Sequence, residues 1–149
     1  MLDLAANYNT IAQSTITTIA GGWSSGLVLS NSKWNTLTDS YISGLPGYGV
    51  QITGSPTSTY NTITLSTMIA SGSAPNDVCH PGLNIYQAHS NTVSNSFMKG
   101  VCGAFIFNSA SNAISQSTIT TRGVANQTAM VFFTAGSNSV AGSYLYAPG

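Results

Sequence analysis

The scarcest property of this sequence is charge. Only 4% of its 149 residues are charged, three of them basic and three acidic, and the formal net charge is zero. An ordinary soluble protein carries about 25% charged residues. Three cations cannot follow a track of phosphates, so we expect no nucleic-acid partner. The surface must instead stay polar through hydroxyl and amide groups.

Long apolar runs are missing as well. No stretch approaches the roughly 18 apolar residues that a membrane helix requires, so we expect no membrane span. The opening segment, MLDLAANYNT, has neither the basic part nor the apolar part of a secretory signal. Disorder is not expected, because 42% of the residues are hydrophobic and disordered chains combine low hydrophobicity with high charge.

What the sequence does contain is a repeated phrase. SNAISQSTITT at 111–121 nearly copies YNTIAQSTITT at 8–18. The pattern Asn-x-φ-x-x-Ser-x-φ, in which φ is apolar, occurs six times at intervals of 21 to 30 residues. Its Asn residues are Asn9, Asn35, Asn61, Asn91, Asn112 and Asn138, and its Ser residues are Ser14, Ser40, Ser66, Ser96, Ser117 and Ser143. A repeat of this length predicts a solenoid.

Short apolar segments stand shortly before each repeated Asn, for example LVL at 27–29 and FIF at 105–107. Alternating apolar residues over so few positions are typical of β-strands, and no sustained helical apolar stripe occurs. Stacked strands lie about 4.8 Å apart, so coils of this kind would build a rod. At the bends, Asn tolerates left-handed backbone and its amide can bond the copies of itself in neighbouring coils. We therefore predict that the repeated Asn and Ser form structural ladders.

The segments SNAISQSTIT, YNTITLSTMI and SNTVSNSFMK resemble the right-handed parallel β-helix repeat of the pectate-lyase-like superfamily. The resemblance covers essentially the whole chain. It implies an all-β, right-handed parallel β-helix (solenoid) of about six coils of 21–30 residues, in one domain spanning 1–149. That superfamily includes polysaccharide lyases, hydrolases, epimerases, tailspikes, adhesins and passive surface repeats. The Ser/Thr/Asn-rich style is most similar to that of tandem-coil bacterial surface proteins.

Carboxylates are too few and too scattered for the sites of polysaccharide-cleaving β-helix enzymes, which use clustered Asp or Glu or bind calcium. The only acidic residues are Asp3, Asp39 and Asp77, and they occupy three different positions of the repeat. We therefore expect no enzyme, no catalytic residue, no metal and no cofactor. A polysaccharide lyase or hydrolase is the minor alternative.

The segment ASGSAPNDVCHPG at 70–82 holds Asp77, Cys79 and His80. It lacks zinc-ligand spacing, and we interpret it as a surface loop. Cys79 and Cys102 each shortly precede an apolar strand, so in adjacent coils they would lie within disulfide reach. A bridge between them would imply an extracellular or cell-surface location. Two reduced, buried thiols are the alternative.

Two outward faces are candidate binding surfaces. The residue after each repeated Ser is aromatic in every second coil, as Tyr41, Phe97 and Tyr144, which could stack on glycan rings or pack against another molecule. The Thr-x-Thr pairs Thr36/Thr38 and Thr62/Thr64 resemble ice-binding solenoid faces, although Thr is also simply a good strand former.

No capping segment is visible at either end, although solenoids normally carry caps. Two hypotheses explain this: the sequence is a segment of a longer β-helix, or copies stack head to tail, a contact that gives fibres. We accordingly expect an extracellular structural β-solenoid, acting as a rod, stalk or filament subunit, whose partner is a second copy or adjoining coils of a longer chain. The alternative is a carbohydrate-binding or carbohydrate-processing β-helix of adhesin or tailspike type. Ice binding is third.

Overall fold

A computed structural model describes residues 2–4, 6–19, 24–54, 56–72, 79–123 and 127–148, with only the backbone for residues 2–4. Over these residues the chain forms short β-strands and no helix. Because no described segment is helical, none is a helix long and apolar enough to cross a membrane. The prediction of an all-β chain is confirmed.

The strands belong to three parallel sheets of six strands each, here called sheets A, B and C. Sheet A contains β1 (Leu2–Leu4), β4 (Leu27–Ser30), β7 (Val50–Thr53), β10 (Leu83–Tyr86), β13 (Ala104–Phe107) and β16 (Met130–Phe133). Sheet B contains β2 (Thr10–Ala12), β5 (Thr36–Thr38), β8 (Thr62–Thr64), β11 (Thr92–Ser94), β14 (Ala113–Ser115) and β17 (Ser139–Ala141). Sheet C contains β3 (Thr15–Thr17), β6 (Tyr41–Gly44), β9 (Thr67–Ala70), β12 (Phe97–Gly100), β15 (Thr118–Thr121) and β18 (Tyr144–Tyr146).

Every third strand joins the same sheet, so three consecutive strands make one coil and the coils stack in chain order. Coil 1 contains β1 to β3, and coil 6 contains β16 to β18. The register places equivalent repeat positions on top of one another. The first apolar position of the repeated phrase is an example, because Ile63 lies between Leu37 and Val93, and Val93 lies opposite Ile114. The fold is therefore a parallel β-helix of six coils, as the repeat predicts.

Alternate side chains of these short strands point into the coil and form one continuous core. In coil 3, Ile52, Ile63 and Met68 are completely buried, one from each sheet. A fully buried side chain of this size contributes about 1.5–3 kcal/mol through the hydrophobic effect. The two apolar positions of the repeated phrase are thus the inward positions of sheets B and C.

The core ends abruptly in coil 6. Val140 and Leu145 occupy the same inward positions as Ile114 and Ile119 one coil earlier. Ile114 and Ile119 are at most 1% exposed, whereas Val140 is 36% and Leu145 is 47% exposed. The outer face of coil 6 therefore presents the side chains of two inward positions to solvent.

Left-handed backbone forms the corners between the sheets. Fifteen described non-glycine residues have positive φ, and they fall into three columns. One column follows sheet A, one directly precedes the repeated Asn at the corner between sheets A and B (the A–B corner), and one directly precedes the repeated Ser at the corner between sheets B and C (the B–C corner). This conformation costs L-residues about 1–2 kcal/mol, and Asn is among the most tolerant. The columns contain Asn31, Gln87, Asn108 and Thr134; Tyr8, Trp34, Tyr60, Ser90, Ser111 and Ser137; and Gln13, Asp39, Leu65, Asn95 and Gln116.

Candidate functional site

The repeated Asn residues form one hydrogen-bonded ladder along the A–B corner. In each step, the backbone N–H and the side-chain amide of one Asn donate to Oδ1 of the Asn in the next coil. Asn35 donates to Asn61 Oδ1 at 3.0 Å through both groups, and Asn61 donates to Asn91 Oδ1 at 2.9 and 3.0 Å. Every one of these donors points toward the following coil. The whole ladder runs through Asn9, Asn35, Asn61, Asn91, Asn112 and Asn138.

The repeated Ser residues form a second ladder with the same direction. The backbone N–H of Ser40 donates to Ser66 Oγ at 3.2 Å, and Ser40 Oγ donates to the carbonyl of Thr38 at 2.7 Å. Both ladders supply hydrogen bonds to buried backbone groups, which is a structural role. The second ladder runs through Ser14, Ser40, Ser66, Ser96, Ser117 and Ser143.

Cys79 and Cys102 form a disulfide, with their Cα atoms 5.4 Å apart. Beside it, His80 is only 3% exposed, so this part of the 70–82 segment lies inside the fold and is not the surface loop that the sequence suggested. Burial lowers the pKa of His80 from its ordinary 6.5; a hydrogen bond with the Pro46 backbone opposes this shift, and the Arg122 charge adds to it. The Tyr48 ring meets the imidazole edge-on with centroids 6.4 Å apart, and burial raises the pKa of Tyr48.

The acidic residues lie on different parts of the molecule. Asp3 is in β1 of sheet A, and Asp39 lies at the B–C corner. Asp77 lies outside the described residues. Over the described parts of the chain, no group of three or more His, Cys, Asp or Glu side chains could hold a metal ion.

The outward column with Tyr41, Phe97 and Tyr144 is in register on sheet C. Thr67 pairs with Tyr41 on one side and with Phe97 on the other, and Thr118 pairs with Phe97 and Tyr144. The aromatic residues are therefore two strand spacings apart, about 9.6 Å at roughly 4.8 Å per strand, with Thr between them.

A groove follows this column along the B–C corner. It consists of two shallow, open depressions of about 480 and 360 Å³ that share Leu65 and Thr67. Its walls combine hydroxyls, amides and rings, and Asp39 is the charged residue among the described ones that line it. The amides come from the left-handed column of this corner, whose side chains the sequence did not reveal as a site. The lining residues include Gln13, Asp39, Tyr41, Asn95, Phe97 and Gln116.

Sheet B carries the Thr-x-Thr face. Thr36 pairs with Thr62, and Thr38 pairs with Thr64. The array weakens toward the later coils, where Ala113 pairs with Thr92. The hydroxyl-rich array is thus complete in coils 2 to 4, because Ala12 in coil 1 and Ala113 in coil 5 interrupt it.

Two stacks of aromatic rings, one at the A–B corner and one on the adjoining ends of the sheet A strands, were not predicted from the sequence. Tyr8, Trp34 and Tyr60 stack with centroids 4.9 and 5.8 Å apart and planes within 10°. The second stack has centroids 5.1 and 5.2 Å apart and planes within 6°, and it contains Tyr86, Phe107 and Phe133. The available signal was the aromatic residue directly before the repeated Asn in each of the first three coils.

No protein-family model matches this chain, and a search of curated proteins finds no significant match.

Proposed function

We propose that this chain is an extracellular structural β-solenoid that serves as a segment of a rod, stalk or filament. The observation that carries the proposal is the common direction of the Asn and Ser ladders. In both ladders the backbone N–H of each residue donates to the side-chain oxygen of its counterpart in the following coil. A protein built from such ladders is a template for further coils, because each step repeats the same hydrogen bonds.

The two ends of the ladders are complementary. Asn112 donates to Asn138 Oδ1, and in the described residues no later Asn accepts from the backbone N–H of Asn138. At the other end, Asn9 donates to Asn35 Oδ1, while its own Oδ1 accepts no hydrogen bond from a described residue. If coil 6 of one copy stacked on coil 1 of the next, the backbone N–H of Asn138 would donate to Asn9 Oδ1. Contact between two identical ends would instead place donors opposite donors or acceptors opposite acceptors.

The partner that fits this contact is another coil with the same repeat, from a second copy or from adjoining coils of a longer chain. Val140 and Leu145 would then gain the cover that their counterparts have in earlier coils. A head-to-tail contact of this type does not close on itself and extends into a filament. The disulfide supports an oxidising compartment, because such bonds are rare in the cytosol.

The resemblance of the repeated phrase to the pectate-lyase-like superfamily supports a right-handed winding and a place among its tandem-coil surface proteins. Within that superfamily the chain would belong with the structural members, because the described acidic residues are dispersed.

Light scattering of purified Leu145→Lys tests the end-to-end contact. We expect the wild-type chain to scatter as assemblies, and we expect Leu145→Lys to remove them, because the substitution places a charge on the exposed end of the core. Leu65→Lys is the matched control, since Leu65 is 61% exposed and lies in coil 3 between β8 and β9, away from both end coils. Equal assembly in all three proteins would contradict the proposal.

A second candidate function is binding of a neutral glycan in the groove of the B–C corner. The observation that favours it is the in-register alternation of Thr with Tyr41 and Phe97 along a groove lined by amides. Aromatic faces pack on the apolar faces of sugar rings, and amides bind hydroxyls. Screening neutral glycans with wild type, Tyr41→Ser and Ile19→Ser tests this candidate. Binding lost only in Tyr41→Ser supports it, and no binding to wild type contradicts it.

Ice binding is the third candidate, favoured by the paired Thr residues of β5 and β8. It predicts thermal hysteresis in the wild type and its loss in Thr62→Tyr, because a bulky ring interrupts the flat face. Wild-type protein without thermal hysteresis would rule this candidate out.

A further inference from the structure

The two aromatic stacks together form an aromatic stripe along the rod, defined here as Tyr8, Trp34, Tyr60, Tyr86, Phe107 and Phe133. Several of its rings face solvent: Tyr8 is 72%, Trp34 is 44% and Tyr60 is 55% exposed. Large exposed apolar areas on a soluble protein mark interaction surfaces. The stripe extends over all six coils, which is about 29 Å at roughly 4.8 Å per strand.

The rings of the stripe occupy one position of the repeat in the first half of the rod and a different position in the second half. In coils 1 to 3 the rings precede the repeated Asn, and that position is serine in coils 4 to 6. In coils 4 to 6 the rings are instead the last residues of the sheet A strands. Ser30 and Thr53 occupy that position in coils 2 and 3, in register with Tyr86. Each of coils 2 to 6 therefore has one ring and one small side chain at this corner.

The fold does not require the rings. Trp34 and Tyr60 have φ of 55° and 59°, and Ser90 and Ser111 adopt the same conformation with φ of 55° and 59°. The left-handed region is strongly disfavoured for bulky L-residues. Because serine forms the same corner in half of the coils, the rings of the first half are an addition to the surface.

The area and charge of the stripe suit contact with an identical surface. A buried aromatic side chain covers about 150–250 Å², so six partly exposed rings offer on the order of 600 Å² per copy. Stable interfaces bury about 800 Å² per partner, and weaker, reversible ones bury less. Lys33 is the only Lys, Arg, Asp or Glu in the described residues between the sheet A and sheet B strands. Two such surfaces can meet with little repulsion between like charges.

We infer that two copies of this chain pair side by side through their aromatic stripes, in antiparallel orientation. A two-fold axis perpendicular to the rods places the first three coils of one copy against the last three of the other. The rings of coils 1 to 3 in one copy then face Ser90, Ser111 and Ser137 in the second copy. In a parallel pair, the rings of one copy would also avoid the rings of the other copy. That arrangement, however, would bring the two positively charged Lys33 side chains together. This lateral contact is separate from the end-to-end contact proposed above.

Sedimentation velocity of the full chain over a wide range of protein concentration tests the inference. The Leu145→Lys background removes the end-to-end contact, and in it we expect a reversible dimer. Adding Trp34→Ser or Phe107→Ser to this background should raise the Kd at least about tenfold, because truncated central aromatic residues account for much of the binding energy of an interface. Trp34→Ser reproduces the residue that other coils have at this position. Ile19→Ser in the same background is the control, and it should leave the Kd unchanged. Circular dichroism melting checks that each variant folds.

Ser111→Trp separates complementary pairing from general stickiness. This variant adds an exposed ring, so non-specific hydrophobic association would strengthen. Under antiparallel pairing, the new ring occupies the space opposite Trp34 in the second copy, and the dimer should weaken at least about tenfold.

Three results would overturn the inference: a wild-type chain that stays monomeric, stronger association in Ser111→Trp, or association lost in Leu145→Lys but unchanged in Trp34→Ser. The last result would retain the end-to-end contact and remove only the lateral one. Conversely, a dimer that is lost in Trp34→Ser and kept in Leu145→Lys would support lateral pairing even if end-to-end stacking fails.

Discussion

The Asn ladder should be a main source of stability in the middle of the rod, and Asn61→Ala measures its contribution. Asn61 is completely buried. Its Oδ1 accepts from the backbone N–H and the side-chain amide of Asn35, and its own amide donates to the carbonyl of Ser32 at 3.0 Å and to Asn91 Oδ1. Removing the side chain leaves the backbone N–H and amide of Asn35 and the carbonyl of Ser32 without these partners.

Each buried polar group that loses its partner costs about 1–3 kcal/mol. For these three groups we therefore expect Asn61→Ala to lower the free energy of unfolding by about 3–9 kcal/mol, a large share of the roughly 5–15 kcal/mol of a typical domain. Asn9→Ala is the matched control. Asn9 lies in the first coil and is only partly buried, and no described residue donates to its side chain. Its loss should cost about 1 kcal/mol or less.

Urea unfolding followed by far-UV circular dichroism gives the loss of unfolding free energy in both variants, provided that the dependence on denaturant is the same in all of them.

Asn61→Asp tests whether the hydrogen bonds of the side chain are the source of this stability. The carboxylate can still accept from Asn35, but it faces the acceptors Ser32 O and Asn91 Oδ1. Burial and these acceptors raise its pKa above the unfolded value, so Asn61→Asp should gain stability relative to wild type as the pH falls through that folded pKa. Equal, small losses in Asn61→Ala and Asn9→Ala would refute a stabilising ladder.

Three further outcomes follow from the structure. Replacing Cys79 and Cys102 by Ala should lower the free energy of unfolding by about 3 kcal/mol, because the bridge closes a loop with a sequence separation of 23 residues; unchanged unfolding in urea would contradict this. Leu65→Asn should raise the free energy of unfolding by about 0.5–1 kcal/mol in the same assay. Leu65 has φ of 51° and is 61% exposed, and Asn tolerates this conformation better than Leu. The reverse change, Asn95→Leu, should lower the free energy of unfolding. The lowered pKa of His80 means that the folded state binds fewer protons than the unfolded state, so its contribution to stability is full above the unfolded pKa of 6.5 and is lost as the pH falls from there through the folded pKa. His80→Gln should flatten this pH profile, and an unchanged profile would contradict the assignment.

The features that lie at a fixed number of residues from the repeated Asn could be predicted from the sequence. The inward positions, the two predicted ladders and the Tyr41 column all lie at constant offsets, so one register places them all. The outward direction of Tyr41 also follows from strand alternation. The disulfide could be placed because both cysteines stand just before a sheet A strand.

The missed features depend on the corners. Trp34 and Tyr60 lie in left-handed backbone, so strand alternation does not give the direction of their rings. A third ladder, in which Ser32 N–H donates to Ser58 Oγ at 3.2 Å, has no regular signature in the sequence because Ala88 and Ala135 interrupt it. The burial of His80 could not be predicted, because no position of the repeat corresponds to this residue.

Negative-stain electron microscopy of the purified chain tests the central claim most directly. End-to-end stacking predicts thin filaments that lengthen along one axis in steps of one copy, about 29 Å for six strands at roughly 4.8 Å each, and Leu145→Lys should shorten them to single rods or side-by-side pairs. Isolated short particles at every concentration, or assemblies that grow without a preferred axis, would contradict the claim that the ladders template further coils.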